Sequence, residues 1–274
     1  MHARDATEPY ISYALLDDSG ATIAQRHADE RFYPASTIKL GVMLAVARAV
    51  DAGELSIDDE VEQPAHFVSG IREAPPFALA PDDREEGYAP GSPATIAHLV
   101  ARMIELSSNE ATNILVGLVG LDAVNAAFEL CSARSTRMQR LIGDLAAAAA
   151  GRTNWTTAAD LARVMRSIVT GESTGAATTS MMRRALMRQR HPRIATALPA
   201  GATWGSKSGD VPGIGHDVAF VGDPDGGDVR YLAVCTAGYS EQQANEVIAA
   251  LASALPVRPA VSAPRNDHRK DGYL

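Results

Sequence analysis

Lysine is nearly missing from this sequence: Lys39, Lys207 and Lys270 are the only three, beside 22 arginines among 274 residues. A guanidinium keeps its proton in a protein, whereas a lysine amine can lose one. A chain that writes arginine almost everywhere and still keeps lysine at two interior positions directs attention to those two. Cysteine is equally scarce. Cys131 and Cys235 are too few for a disulfide framework and stand at no metal spacing; both read as small buried side chains. The seven histidines are scattered, none in the H-E-x-x-H pattern, so no metal and no cofactor is expected. No block of Lys and Arg forms a basic stripe, and the net charge is −8, which argues against a nucleic-acid partner. No run approaches the length of a membrane span, so no membrane association is expected. Met1 to Tyr10 is polar and lacks an apolar signal core, which points to the cytoplasm.

What is present is 46% apolar residues, enough for one large domain or two closely packed lobes. Tyr10–Leu16 and Ala21–Gln25, around the turn Asp18-Ser19-Gly20, predict a β-hairpin. Residues 36–52 are apolar nearly all round, the mark of a buried central helix, with Gly53 suited to its C-terminal end. Helices are expected over 94–106, 110–119, 122–131, 156–169 and 177–189, and the alanine run 146–150 also reads as helix. Strands are expected over 202–208, 216–222 and 229–236, and a closing helix over 240–255. The stretch 72–93 reads as a long loop, either a substrate lid or an ordinary surface excursion. The expected fold is α/β (α+β): an antiparallel sheet built from both termini and flanked by helices, with an all-helical lobe inserted. The sheet lobe would comprise 1–52 and 196–255, the helical lobe 53–195, and a loose tail 256–274.

Three short motifs carry the chemistry. In Ser36-Thr37-Ile38-Lys39, residues i and i+3 share a helix face, which sets a hydroxyl beside an amine. Serine is a weak nucleophile and needs such a base. To serve, Lys39 must titrate near 7 rather than at roughly 10.4, which burial and a nearby cation can bring about. Ser36 as a mere helix cap is the alternative. In Ser107-Ser108-Asn109, a second hydroxyl can relay a proton and an amide can hold a substrate carbonyl or Lys39; alternatively Ser107 and Glu110 spell a helix capping box. In Lys207-Ser208-Gly209, a cation can bind an anionic substrate group, and Gly209 can let substrate lie close to the strand; alternatively Lys207 is a solvated strand residue.

Taken together, these motifs resemble a known family. Tyr33 to Lys39 resembles the nucleophile signature of class A β-lactamases and their penicillin-binding relatives, Met103 to Leu115 resembles the segment around S-D-N, and Lys207-Ser208-Gly209 is similar to K-T-G. The likeness runs from about Ile11 to Leu251. It implies Ser36 as nucleophile, Lys39 as base, Ser107 as proton relay, Asn109 as substrate contact and Lys207 as carboxylate binder. Backbone N–H groups of Ser36 and Asp210 would form the oxyanion hole. The implied partner is a small acyl substrate bearing an anionic group. A non-catalytic penicillin-recognising module would have no need of a lysine of depressed pKa.

The pattern breaks in three places. Ser108 replaces Asp, and Ser208 replaces Thr. More seriously, Thr136-Arg137-Met138-Gln139-Arg140 resembles the lead-in to the E-x-x-L-N loop, yet the glutamate position falls on Ile142. Isoleucine cannot activate water, and general base catalysis is worth about 10²–10⁴-fold; slow turnover of β-lactams is therefore expected. Asp144 is the nearest acid and the candidate replacement, an ion pair with Arg140 or Arg152 being the alternative. His216, beside Asp217, precedes a strand near Lys207, where a histidine can line the cleft; a residue without a functional role is the preferred alternative.

Overall fold

The computed structural model describes residues 8–256. The expected loose tail therefore falls, beyond Pro256, outside the described residues. The N-terminal end forms the expected hairpin from β1 (Tyr10–Leu16) and β2 (Thr22–Arg26). A small separate pair, β3 (Glu60–Glu62) with β4 (Pro93–Thr95), closes the base of the long loop. The C-terminal part supplies β5 (Trp204–Val211), β6 (Ile214–Val221) and β7 (Arg230–Ala237). The main sheet runs β2-β1-β7-β6-β5 and is antiparallel throughout. The two ends of the chain thus meet in one sheet, as expected.

Successive side chains of a strand leave on opposite faces, and here each face has its own core. Leu15, Ala219, Leu232 and Val234 pack with Ile194, Ile248 and Ala252. Their neighbours Ala14, Leu16, Val218, Phe220, Tyr231, Ala233 and Cys235 join the larger core with the central helices. β6 and most of β7 are buried on both faces, which is why Tyr231–Cys235 reads as a continuous apolar run, while β6 buries His216 and Asp217 beside its apolar residues.

The central helix is α1 (Lys39–Asp51), entered through a single 3-10 turn, Ala35–Ile38. Around it stand α2 (Ile96–Glu105) and α3 (Asn109–Leu130). Gly120, at φ 81° and ψ 153°, interrupts α3 where two helices were expected. α3 is the one described helix with the length and hydropathy of a membrane span, and more than half of that stretch is buried within the protein. The alanine run forms the short α4 (Leu145–Ala149). α5 (Ala158–Thr170) packs on β1, β6 and β7, and α6 (Ala176–Met187) on β5 and α1. The closing helix α7 (Glu241–Ala254) starts at a full capping box, Ser240 with Gln243, and covers the other sheet face.

Candidate active site

The sheet ends at β5, whose edge faces the turn that carries Ser36. Ser36 is partly exposed and Lys39, one turn on, is wholly buried. The turn is drawn tight by Thr37, whose Oγ1 donates to the Pro34 carbonyl at 2.6 Å. Ala35 pays for that tightness with φ +47°, a conformation costing a non-glycine residue about 1–3 kcal/mol. Gly209 lets β5 come this close: a Cβ there would lie 2.6 Å from Ser36 N and 2.9 Å from Thr37 N. The space expected for substrate beside Gly209 is therefore taken in part by the Ser36 turn.

Lys39 Nζ donates to the Ser107 carbonyl at 2.6 Å and to Asn109 Oδ1 at 2.8 Å, and lies 3.2 Å from Ser107 Oγ. No hydrogen bond joins it to Ser36 Oγ among the described residues. A neutral amine has two hydrogens and one lone pair. The carbonyl and the amide oxygen use both hydrogens, so the lone pair is free to accept from a hydroxyl. Burial, and then the charge of Lys207, hold the Lys39 ammonium well below its ordinary range. Lys207 pairs with Val218 across β5 and β6 and so projects on the sheet face that meets the larger core. Its Nζ reaches Ser107 Oγ at 3.1 Å and the Ser208 carbonyl at 2.7 Å. Burial brings its pKa down to about 7 against the opposing pull of Asp217 and Asp210. Two buried amines thus meet at one hydroxyl.

Ser107 is placed there by the loop between α2 and α3, at φ +62°. The capping box expected of Ser107 and Glu110 does not form. Ser108 is the N-cap, its Oγ accepting from Ala111 N at 3.1 Å. That shift by one residue frees Ser107 and Asn109 for Lys39. It also explains Ser108 physically, since Ser and Asp cap helices about equally well. Glu110 is buried, its carboxylate accepting from Glu85 N at 3.1 and 3.2 Å. The Asn109 amide donates from Nδ2 to the Asp83 carbonyl at 3.0 Å, which brings the long loop against the site.

Asp144 is not brought into this group. It caps α4, accepting from Ala147 N at 3.0 Å, and ties down the long loop by accepting from Gly70 N at 2.8 Å and Ser69 Oγ at 2.9 Å. Burial raises its pKa, yet these hydrogen bonds outweigh burial and leave it lowered. No ion pair joins it to Arg140 or Arg152 among the described residues. Instead Arg152 bonds the Gly70 carbonyl. Ile142 is gripped through its backbone: Asn113 donates to its carbonyl at 2.8 Å and accepts from its N–H at 2.9 Å. Ser208, buried, follows Lys207 on β5. Asp210 is paired with Arg193 at 2.9 Å. The sequence reading missed Arg193, which is buried and also holds the Gly209 and His216 carbonyls and Asn245; in a chain of 22 arginines it gave no signal. His216 does not line a cleft: it lies on β6, fully buried, paired with Gly209.

The family model described as the β-lactamase enzyme family matches residues 3–257. Among solved structures, the chain is similar to the β-lactamase of Sphaerobacter thermophilus, with 28% identity over 92% of this chain and 93% of that one and a TM-score of 0.74. It is similar to a variant of the last common ancestor of Gram-negative bacterial class A β-lactamases, with 25% identity, 89% and 90% coverage and a TM-score of 0.74. PBP-A shares the fold, with 23% identity, 89% and 88% coverage and a TM-score of 0.73. With its mixed sheet-and-helix architecture and the match along nearly its whole length, the chain belongs to the β-lactamase enzyme family.

Proposed function

We propose that the protein is a serine hydrolase or acyltransferase that opens an amide, lactam or ester through an acyl-Ser36 intermediate, with slow release of β-lactam-derived acyl groups. The observation that carries this reading is the meeting of Lys39 and Lys207, both fully buried, at Ser107 Oγ. A binding module gains nothing from two buried amines, whose desolvation opposes folding. Neutral Lys39 takes the Ser36 hydroxyl proton as Oγ attacks the carbonyl carbon. The N–H groups of Ser36 and Asp210 receive the oxyanion. As the tetrahedral intermediate collapses, Ser107 gives its proton to the leaving atom and regains one from the Lys39 ammonium. Asn109 holds the acyl side of the substrate, and Lys207 with Ser208 its anionic group. A PBP-A variant solved as an acyl-enzyme complex with penicillin G supports this substrate class.

Release of the acyl group needs an activated water. Ile142 supplies no base, and the Asp144 carboxylate is already committed to three donors, so no role in release is given to it. An acceptor other than water fits this arrangement. Intact-protein mass spectrometry with benzylpenicillin tests the reading. A long-lived adduct on the wild type and none on Ser36→Ala is expected. Fast hydrolysis with no lasting adduct would refute slow release, and an adduct surviving Ser36→Ala would refute the nucleophile.

A further inference from the structure

His216 is the one fully buried histidine among the described residues, and the mechanism above does not use it. Its Nε2 lies 2.9 Å from the Tyr33 carbonyl, three residues before Ser36. Its Nδ1 lies 3.2 Å from Thr236 N and 2.8 Å from the Gly215 carbonyl. The surroundings select one tautomer. An unprotonated Nδ1 accepts from the Thr236 N–H. The Gly215 carbonyl already receives the Thr236 hydroxyl at 2.6 Å. The hydrogen then sits on Nε2, and the Tyr33 carbonyl is its acceptor. Burial, which lowers the pKa to about 4, keeps the ring neutral.

The ring is itself held rigidly. Phe32 meets it edge-on, with centroids 5.6 Å apart. Arg193 binds the His216 and Gly209 carbonyls with one nitrogen, at 2.8 and 3.1 Å. Gly209 is the cross-strand partner of His216 and the residue against which the Ser36 turn rests. The segment Tyr33–Ser36 is therefore pinned from two sides, by the ring at Tyr33 and by β5 at Ser36. Between the pins lies Ala35 in its left-handed conformation, which persists only where its surroundings over-determine it.

We propose that His216 is a positioning residue for the nucleophile: its Nε2–H holds the Tyr33 carbonyl, and so fixes the turn that presents the Ser36 hydroxyl and N–H, without touching substrate. This rests on the acyl-Ser36 reading. Two experiments test it. Long-range proton–nitrogen correlation spectra of the wild type at neutral pH are expected to show His216 protonated at Nε2; protonation at Nδ1 overturns the proposal without any variant or substrate. Acylation by benzylpenicillin is then timed in His216→Phe and His216→Gln. A misplaced reacting group costs about 10²-fold, so His216→Phe is expected to acylate about 10²-fold more slowly at unchanged affinity. His216→Gln, whose amide can donate from near the Nε2 place, is expected to recover most of that loss. A folded Phe variant acylating at the wild-type rate, or a Gln variant no better than Phe, overturns it. A wild type in which neither benzylpenicillin nor a reactive ester acylates Ser36 would overturn the acyl-serine reading and this inference with it, and the spectra tell that failure from an error about His216.

Discussion

A single methyl group on Gly209 tests the residue scale. Sequence reasoning reserved the space beside Gly209 for substrate. The structure fills it with the Ser36 turn, since a Cβ would stand 2.6 Å from Ser36 N and 3.2 Å from the Ala35 side chain. The obstacle is backbone, so no rotamer change relieves it. In Gly209→Ala, β5 must retreat from the turn by several tenths of an ångström. Both N–H groups assigned to the oxyanion would then move apart. Because oxyanion donors act only at close range, acylation is expected to fall by about 10²-fold or more, while the five-stranded sheet survives. Stopped-flow acylation beside a thermal melt separates the two effects. An alanine variant that acylates at the wild-type rate would show that β5 does not set the position of Ser36.

At the scale of elements, the loop from Met138 to Ile142 is held by side chains rather than by a ladder. Asn125 donates to the Met138 carbonyl and accepts from its N–H, both at 2.9 Å. Asn154 accepts from Gln139 N and Arg140 N and donates to the Arg140 carbonyl. Asn113 does the same for Ile142. An amide carries one acceptor and one donor group, so each asparagine serves a stretch of backbone as a neighbouring strand would. Replacing Asn113 by Ala strands two backbone groups, each worth roughly 1–3 kcal/mol when buried. A melting temperature lowered by several degrees is expected, together with faster proteolysis near Ile142; an unchanged melt would show that water takes the place of the amide. These clamps were invisible in the sequence, because partners 13 to 29 residues apart follow no period. Strands and helices with a strong apolar signal were legible: the hairpin, the largely apolar α1, and β6 with β7 stand within a few residues of expectation. The motif residues Lys39, Ser107, Asn109 and Lys207, far apart in sequence, do meet in the fold. The short pair of β3 and β4 was missed, since three residues show no alternation. The cap at Ser108 was misplaced by one residue because Ser107 satisfies the same spacing rule.

At the scale of the whole molecule, a chain of net charge −8 must still attract an anionic substrate if the proposed reading holds. The positive charge that does this is internal. Lys207 is fully buried, and its pKa of about 7 makes its charge conditional. The sign follows directly. Below about 7 the free enzyme carries the ammonium, and a carboxylate gains a partner. Above it the amine is neutral, and binding must first take up a proton, so affinity falls by up to about tenfold per pH unit. Lys39 acts in the opposite sense, because it must be neutral to accept the Ser36 proton, and its pKa is held well below the ordinary lysine value. The second-order acylation constant is therefore expected to be bell-shaped, with Lys39 setting the acid limb and Lys207 the alkaline limb. The two limbs can be separated by chemistry on the substrate. Benzylpenicillin should show both, whereas its methyl ester, which offers Lys207 no carboxylate, should keep the acid limb and lose the alkaline one. An alkaline limb of equal steepness for acid and ester would mean that Lys207 acts through Ser107 alone, and that the anionic group of the natural substrate is bound elsewhere or does not exist.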